Sequence, residues 1–537
     1  MRLPKVRTIL GLAGAIIFLA SFAYGATVTG TVKGPRGAPF KGAFVEAQNM
    51  KTRITVIVLS DKDGRYHVND LPAGDYTLRI RAVGYSSDPR NDVTLKASQN
   101  ASFDWALQTG IVRWSDLSFY EGDNLFPEGK GKKLIEERCL ECHSFQTKMA
   151  GAKRDQEGWT QAVDFMRQSM HYRLNLTDED ATVVASYLNS VFGTESKLPR
   201  NVADIPEYKN FAHGPFADEA MKIVYVSYEM PGPDRMPFSA APDNKGSAWM
   251  PYWSLSDSIG KLDINTGEIQ EFRVPFQGTA SIHSAVPTPD GTVWLEEQGS
   301  NRVGKWDPKT QQITEYQDSN PRGGGSKHTA RIDSHGNVWS SGGPLSELDP
   351  NTGKFTHFQD VSPYGIALAA DNTLWFAEFS ANGKIGKVDP ETGKVTKYAL
   401  PTTNAYPRRI QVAPDGMVWF AEFGIGAYGG VRYAEGVTGG GKIARFDPKT
   451  ETFKEYPLPG RSPSPYAFNM DKNGRLWYSN MHEDLVGCLD PKTGQVVEYP
   501  LPFSENTMRE FFLDDQGRMW WGSPSNNKVG YFYLATN

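Results

Sequence analysis

The stretch Asn372 to Pro401, NTLWFAEFSANGKIGKVDPETGKVTKYALP, decides how most of this chain folds. It holds three short runs, LWFAE, KIGKV and VTKYA, rich in aromatic and β-branched residues. Asn, Gly, Asp and Pro separate them. Runs of about five residues bounded by such turn formers read as consecutive antiparallel strands. The same phrase recurs. GSAW, GTVW, GNVW, NTLW, GMVW, GRLW and GRMW place Trp249, Trp294, Trp339, Trp375, Trp419, Trp477 and Trp520 in equivalent positions, most of them roughly 44 residues apart. That period is one propeller blade.

Each repeat reads as a strand, a DG-type turn, a strand ending just after the Trp, a third strand such as KIGKV, an ETGK-type turn and a fourth strand. Seven repeats of four strands predict a seven-bladed β-propeller over residues 222–537. The last repeat stops at its third strand, KVGYFYLATN, and an unmatched strand, KIVYVSYEM, precedes the first repeat. The earlier strand is expected to complete the last blade and leave no open edge.

Register then compares the repeats position by position. The residue eleven before each Trp should open the inner strand at one mouth of the ring: Phe238, His283, His328, Tyr364, Arg408, Tyr466 and Arg509. The residue three after each Trp should end the second strand on the same face: Tyr252, Glu297, Gly342, Glu378, Glu422, Asn480 and Ser523. His482 follows closely in its loop, and the glycine-rich insert 424–441 falls on this face as a lid or a spacer. Mixed basic, acidic and aromatic groups around one mouth suit a polar small-molecule, peptide or carbohydrate ligand.

The phrases DGTVWLEEQGSNRVGKWDPKT, NTLWFAEFSANGKIGKVDPETGKVTKYALP and DGMVWFAEF resemble the streptogramin (virginiamycin) B lyase family over about 320 residues. The resemblance implies a propeller, and an elimination that opens a cyclic ester with a histidine base, carboxylates and a magnesium ion. Carried onto this chain, His283, His328 or His482 is the candidate base, and Glu297, Glu378 and Glu422 could hold Mg2+. An elimination transfers no electrons, which matters for the next segment.

RCLECHSF, Arg138 to Phe145, holds two of the three cysteines with a histidine directly after the second. Cys-x-x-Cys-His is the attachment signature of a c-type haem. Cys139 and Cys142 would bond the haem vinyl groups, and His143 would be the proximal iron ligand. A zinc site would need further Cys or His nearby, and a redox dithiol does not need the histidine. Three helical stretches surround the motif: GKGKKLIEERCLECH, EGWTQAVDFMRQSM with an apolar stripe, and TDEDATVVASYLNSVFG with Thr177 as N-cap. Residues 109–200 therefore read as a small α-helical cytochrome c domain, similar to the haem domains of quinohaem amine dehydrogenases. That resemblance pairs Trp159 with Met166, seven residues on, and favours Met166 as the distal ligand; Met170 and His171 are the alternatives. Residues 201–221 read as a linker.

Upstream, residues 26–108 alternate apolar and polar positions between glycine turns. GTVKGPRGAPFKGAFVEAQN followed by SDKDGRYHVNDLPAGDYTLRIRAVGY resembles the carboxypeptidase regulatory-like domain, a transthyretin-like β-sandwich grouped with carbohydrate-binding sandwiches. Residues 1–25, with Arg2, Lys5 and Arg7 before ILGLAGAIIFLASF and AYGA, read as a signal peptide. Export, to the periplasm or beyond, agrees with covalent haem and with Cys488 left over rather than paired. The formal charge of −5 gives no basic excess, so no nucleic-acid partner is expected.

The chain is thus expected to be a mainly β multidomain protein: sandwich, haem domain, propeller. Its expected role is an exported haem protein, in which a ligand-binding propeller is coupled to electron transfer and a redox partner protein. The alternatives are a lyase-like enzyme with an accessory haem domain, and a non-catalytic binding or sensing protein.

Overall fold

The computed structural model describes residues 25–140, 145–169, 175–253, 256–319, 326–389, 391–424 and 439–535. Cys142, His143, Met170, His171, nearly all of the expected signal peptide and residues 425–438 of the insert lie outside the described residues. No described helix is long and apolar enough to cross a membrane.

Six four-stranded antiparallel sheets follow one another over residues 241–273, 282–317, 330–358, 365–399, 407–457 and 465–500. The seventh blade takes its inner three strands from residues 511–534 and its outer strand from Ile223–Glu229, which pairs antiparallel with Lys528–Leu534. The ring closes as the unmatched strand predicted.

The repeated phrases have physical work in each blade. In the DG-type turn an aspartate accepts backbone N–H groups ahead of it; Asp333, Asp471 and Asp514 also accept the indole N–H of Trp339, Trp477 and Trp520 at 3.2, 3.1 and 2.9 Å. The buried Trp thus packs between blades with its one donor satisfied. In the third strand the glycine of IGK makes room for a second-strand ring: a Cβ on Gly386 would lie 2.3 Å from the Phe376 ring.

The sandwich is not a free appendage. Its strand Thr55–Leu59 pairs with Ile223–Glu229 on the side away from the propeller axis, so blade seven and one sandwich layer form a single eight-stranded sheet. The outer edge of the closing blade is thereby covered. Arg53 and Gln48 bind Glu229 across the junction, at 3.0 and 2.8 Å.

Between sandwich and propeller lies a helical unit. Lys130–Leu134 runs into a π-helical turn, Ile135–Cys139, that delivers Cys139. Gln156–Ser169 and Asp178–Phe192 follow, the latter started by a reciprocal cap between Thr177 and Asp180. Residues 201–221, expected as a linker, instead pack. Val202 is buried and its N–H bonds Val112 O at 2.9 Å, while Ile205, Tyr208 and Phe211 lie against the helical core. The apolar spacing VxxIxxYxxF carries that signal, at three-residue steps that a short helical strap can present to one side.

Candidate functional site

One end of the propeller axis carries a closed ring of side chains, one from each blade. The ring centroids of Phe238 and His283 are 3.7 Å apart, those of His283 and His328 3.5 Å, and those of His328 and Tyr364 4.3 Å. The Arg408 guanidinium lies 4.8 Å from the Tyr364 ring and 4.0 Å from the Tyr466 ring. Arg509 completes the circuit, 5.9 Å from Tyr466 and 5.4 Å from Phe238. These are the seven positions eleven residues before each Trp. Tyr364 and Tyr466, two blades apart, also touch through their hydroxyls.

Local backbone explains how consecutive residues reach the axis. The ladder slips between Pro407 and Ile410, between Ile282 and Ser284 and between Pro465 and Phe468. A bulge adds an unpaired residue and re-aims side chains. Arg409 accordingly also points inward. Its Nε donates to Arg509 O at 2.8 Å and its Nη1 to Thr329 Oγ1 at 2.9 Å, spanning from blade five to blades seven and three. Below it, Arg331 donates to Glu510 at 3.1 Å, again across the axis. Register by Trp position did not single out Arg409, Arg331 or Glu510; the bulge is not visible in composition.

Electrostatics at this ring are set by burial. His283 is 2 % exposed. Desolvation, then His328, Arg409 and Arg509, hold its imidazole well below the usual histidine range, so it is neutral.

The acidic half of the expected mouth is elsewhere. Glu378 is held by Lys397 at 2.6 Å, Glu297 accepts from Ser300 Oγ at 2.7 Å, and Glu422 sits beside Lys442 and Glu455. These partners lie in each residue's own blade, three of them on third or fourth strands, so the carboxylates turn away from the axis. They do not converge, and among the described residues no group of three His, Cys, Asp or Glu could hold a metal ion. His482 is also outside the ring. Its Nδ1 meets Ser462 Oγ at 2.5 Å, its carbonyl accepts Tyr120 N–H at 2.7 Å, and Phe119 and Tyr120 pack on its ring. Burial pushes its imidazole down to about 3. It is a contact between helical unit and blade six, since the loop after a second strand has room to turn outward.

Burial pushes the Glu422 carboxyl up to about 8, with Glu455 adding to it and Lys442 opposing. A carboxyl raised in the fold binds its proton more tightly there than when unfolded, so its contribution is fully present below about pH 4 and is lost as pH rises toward 8. Glu422→Gln removes that penalty. The variant is expected to melt about 1–3 °C above the parent at pH 8 and nearly level with it at pH 5, checked by thermal denaturation at both.

The helical unit sits over the same mouth. Its core residues Leu140, Phe145, Met149, Trp159 and Val163 belong to one continuous apolar cluster with Phe423, Tyr466 and Met481 of the propeller. Cys139 and Met166 pack on this cluster from one side, Tyr364 and Phe379 from the other. Cys139 is half-buried, Met166 likewise, and the Trp159 indole N–H is buried without a hydrogen-bond partner among the described residues. A half-buried thiol beside an apolar core, a thioether on the same core and an unsatisfied donor fit a large flat group with an apolar body and polar edges. Cys488, by contrast, is buried in blade six with its thiol pushed up to about 12, as an inert core residue.

Residues 27–108 match the carboxypeptidase regulatory-like domain, and residues 288–439 match the virginiamycin B lyase family. Among solved structures, a streptogramin B lyase is similar at 25 % identity, covering 59 % of this chain and all of its own, with a TM-score of 0.51. Virginiamycin B lyase from Staphylococcus aureus is similar at 22 % identity, over 58 % of this chain and 100 % of that one, with a TM-score of 0.50. A catalytically inactive form of that enzyme with quinupristin is similar at 23 % identity, with the same coverage and TM-score. No curated protein matches the chain.

Proposed function

We propose that this is an exported c-type haem protein whose propeller mouth binds a ligand directly beneath the haem-bearing helical unit. The observation that carries the reading is the shared apolar cluster, which joins Cys139, Trp159 and Met166 to Tyr364, Phe423 and Tyr466. Cys139 and Cys142 would attach the group and His143 would ligate its iron, with Met166 the leading second ligand; Met170 and His171 remain the alternatives. A bound haem supplies one-electron exchange. The chain's own residues do the rest. The helical unit excludes water from the ring, the π-helical turn fixes Cys139, and the ring orients a polar ligand. A redox partner protein in the periplasm would take or supply the electrons.

A magnesium-assisted elimination of the lyase kind is less well supported. Its candidate acids lie in three separate blades, Glu297 held by Ser300, Glu378 by Lys397 and Glu422 buried beside Glu455, and His482 is sealed beneath Phe119 and Tyr120.

The test is a haem count on the full chain, produced with export and c-type maturation. The reading expects one covalent haem per chain that survives denaturation, and none when Cys139 and Cys142 are both replaced by alanine. A parent protein with no covalent haem overturns it.

A further inference from the structure

We propose that a small neutral polyol binds in the cavity at the seam between the sandwich and blade seven, on a polar row of side chains that crosses both. The site shares no residue with the propeller ring and is independent of a haem.

Register builds the row. Trp521 lies opposite Gly530, Gly530 opposite Ser227, Ser227 opposite Thr55, Thr55 opposite Gln48 and Gln48 opposite Thr77. Residues directly opposite in a ladder share a face, so these stand side by side from the propeller into the sandwich. Glycine at 530 is part of the construction. A Cβ there would lie 2.8 Å from the Trp521 ring and 3.1 Å from Ser227 Cα, so its absence lets the indole lie across the strand toward Ser227. A cavity of about 110 Å³ opens over the row. The side chains of the row line it, together with Pro502 and Phe503 from the connection between blades six and seven. Arg81 donates to the Pro502 carbonyl and fixes that connection against the sandwich.

Unmet hydrogen bonds name the chemistry. Trp521 is 0 % exposed, and its indole N–H has no hydrogen-bond partner among the described residues. The buried Ser227 and Thr55 hydroxyls make no hydrogen bond among the described residues either. Gln48 Nε2 donates to Glu229 at 2.8 Å, which leaves its Oε1 as an acceptor. Buried polar groups are expected to be partnered. An N–H donor, two hydroxyls and an amide oxygen are met together by a molecule whose own hydroxyls both donate and accept. Neighbouring strands are about 4.8 Å apart, a step that hydroxyls spread along one carbon chain can follow. Charge does not select an ion: Glu46 and Glu229 at the rim stand against Arg79 and Lys528, and Glu229 is already held by Arg53. Phe503 offers an apolar wall to the carbon skeleton. The volume is room for several water molecules, which suits a chain of about four carbons better than a whole sugar ring.

Nuclear magnetic resonance of the full chain, labelled with nitrogen-15 at tryptophan, tests this with erythritol, 1-butanol, acetate and methyl α-D-glucoside as probes. One indole signal, the one lost in Trp521→Phe, is expected to shift saturably with erythritol. 1-Butanol, with the same carbon chain and one hydroxyl, and acetate are expected to bind at least about tenfold more weakly. The glucoside is expected to bind more weakly than erythritol. Thr55→Val keeps the shape of a strand residue and drops the hydroxyl; it is expected to weaken erythritol about three- to tenfold. If Trp521→Phe does not fold, the signal is identified by its displacement in Ser227→Ala, which should weaken erythritol to a similar degree. A shift that is linear in erythritol and shared by all indole signals overturns the proposal. So does tighter binding of 1-butanol, acetate or the glucoside, or an unchanged erythritol affinity in Thr55→Val.

Discussion

Arg408→Ala is expected to destabilise the protein by about 3–4 kcal/mol and to loosen the helical unit from the propeller. The guanidinium lies 4.1 Å from the Phe379 and Phe423 rings, 4.0 Å from Tyr466 and 4.8 Å from Tyr364. Truncation deletes a buried side chain and four cation–aromatic contacts at once. Phe423 and Tyr466 belong to the cluster that reaches Trp159 and Leu140, so the cavity opens at the seam between the two units. Denaturant unfolding measures the loss. Limited proteolysis should show faster cleavage within residues 109–221. Arg408→Met, which refills much of the volume, should recover the packing part and leave only the cationic part missing. Equal losses from Ala and Met would assign the whole effect to charge.

Gly365→Val is the second large effect, at about 2–3 kcal/mol or more. A Cβ at Gly365 would stand 2.1 Å from Arg408 O and 3.1 Å from the Arg408 carbonyl carbon and from Arg409 Cα. All three are backbone atoms of the neighbouring blade, so no flexible side chain can yield. The inner strand of blade five must move, and both arginines move with it. A lower melting temperature together with weaker ligand binding is expected, whereas Gly416→Ala, at a turn with nothing within 4 Å, should affect stability modestly and binding not at all.

The propeller was legible because its repeats state the same local physics seven times. Trp at a fixed register, Asp-Gly turns and the glycine of the third strand each have a visible reason in the blades. The one-per-blade ring was legible for the same reason, since equivalent positions in a closed ring share a face. Legibility failed where structure departs from strict alternation. Bulges at Pro407–Ile410 and its counterparts turn Arg409 inward, and register alone misses it. Glu297, Glu378 and Glu422 occupy the right end of their strands, but a loop hydroxyl and an outer-strand lysine claim Glu297 and Glu378, and Glu422 is buried beside Lys442 and Glu455, which bond each other. His482 sits close to the mouth in sequence, yet packing with Phe119 and Tyr120 decides its place. Those are contacts between units far apart along the chain, and no local pattern encodes them. The pairing of the sandwich with blade seven is of the same kind: Thr55–Leu59 reads as a strand, but its propeller partner does not.

The proposed function requires adjacency between the helical unit, as the proposed haem carrier, and the propeller ring. Nuclear magnetic resonance of the full chain with carbon-13-labelled histidine, recorded oxidised and reduced, measures it most directly. The account predicts that the His283 and His328 signals shift or broaden in the oxidised protein. His67 in the sandwich and His335 in a turn of blade three should stay unchanged. Ring histidines that are as indifferent to oxidation as His67 would contradict it.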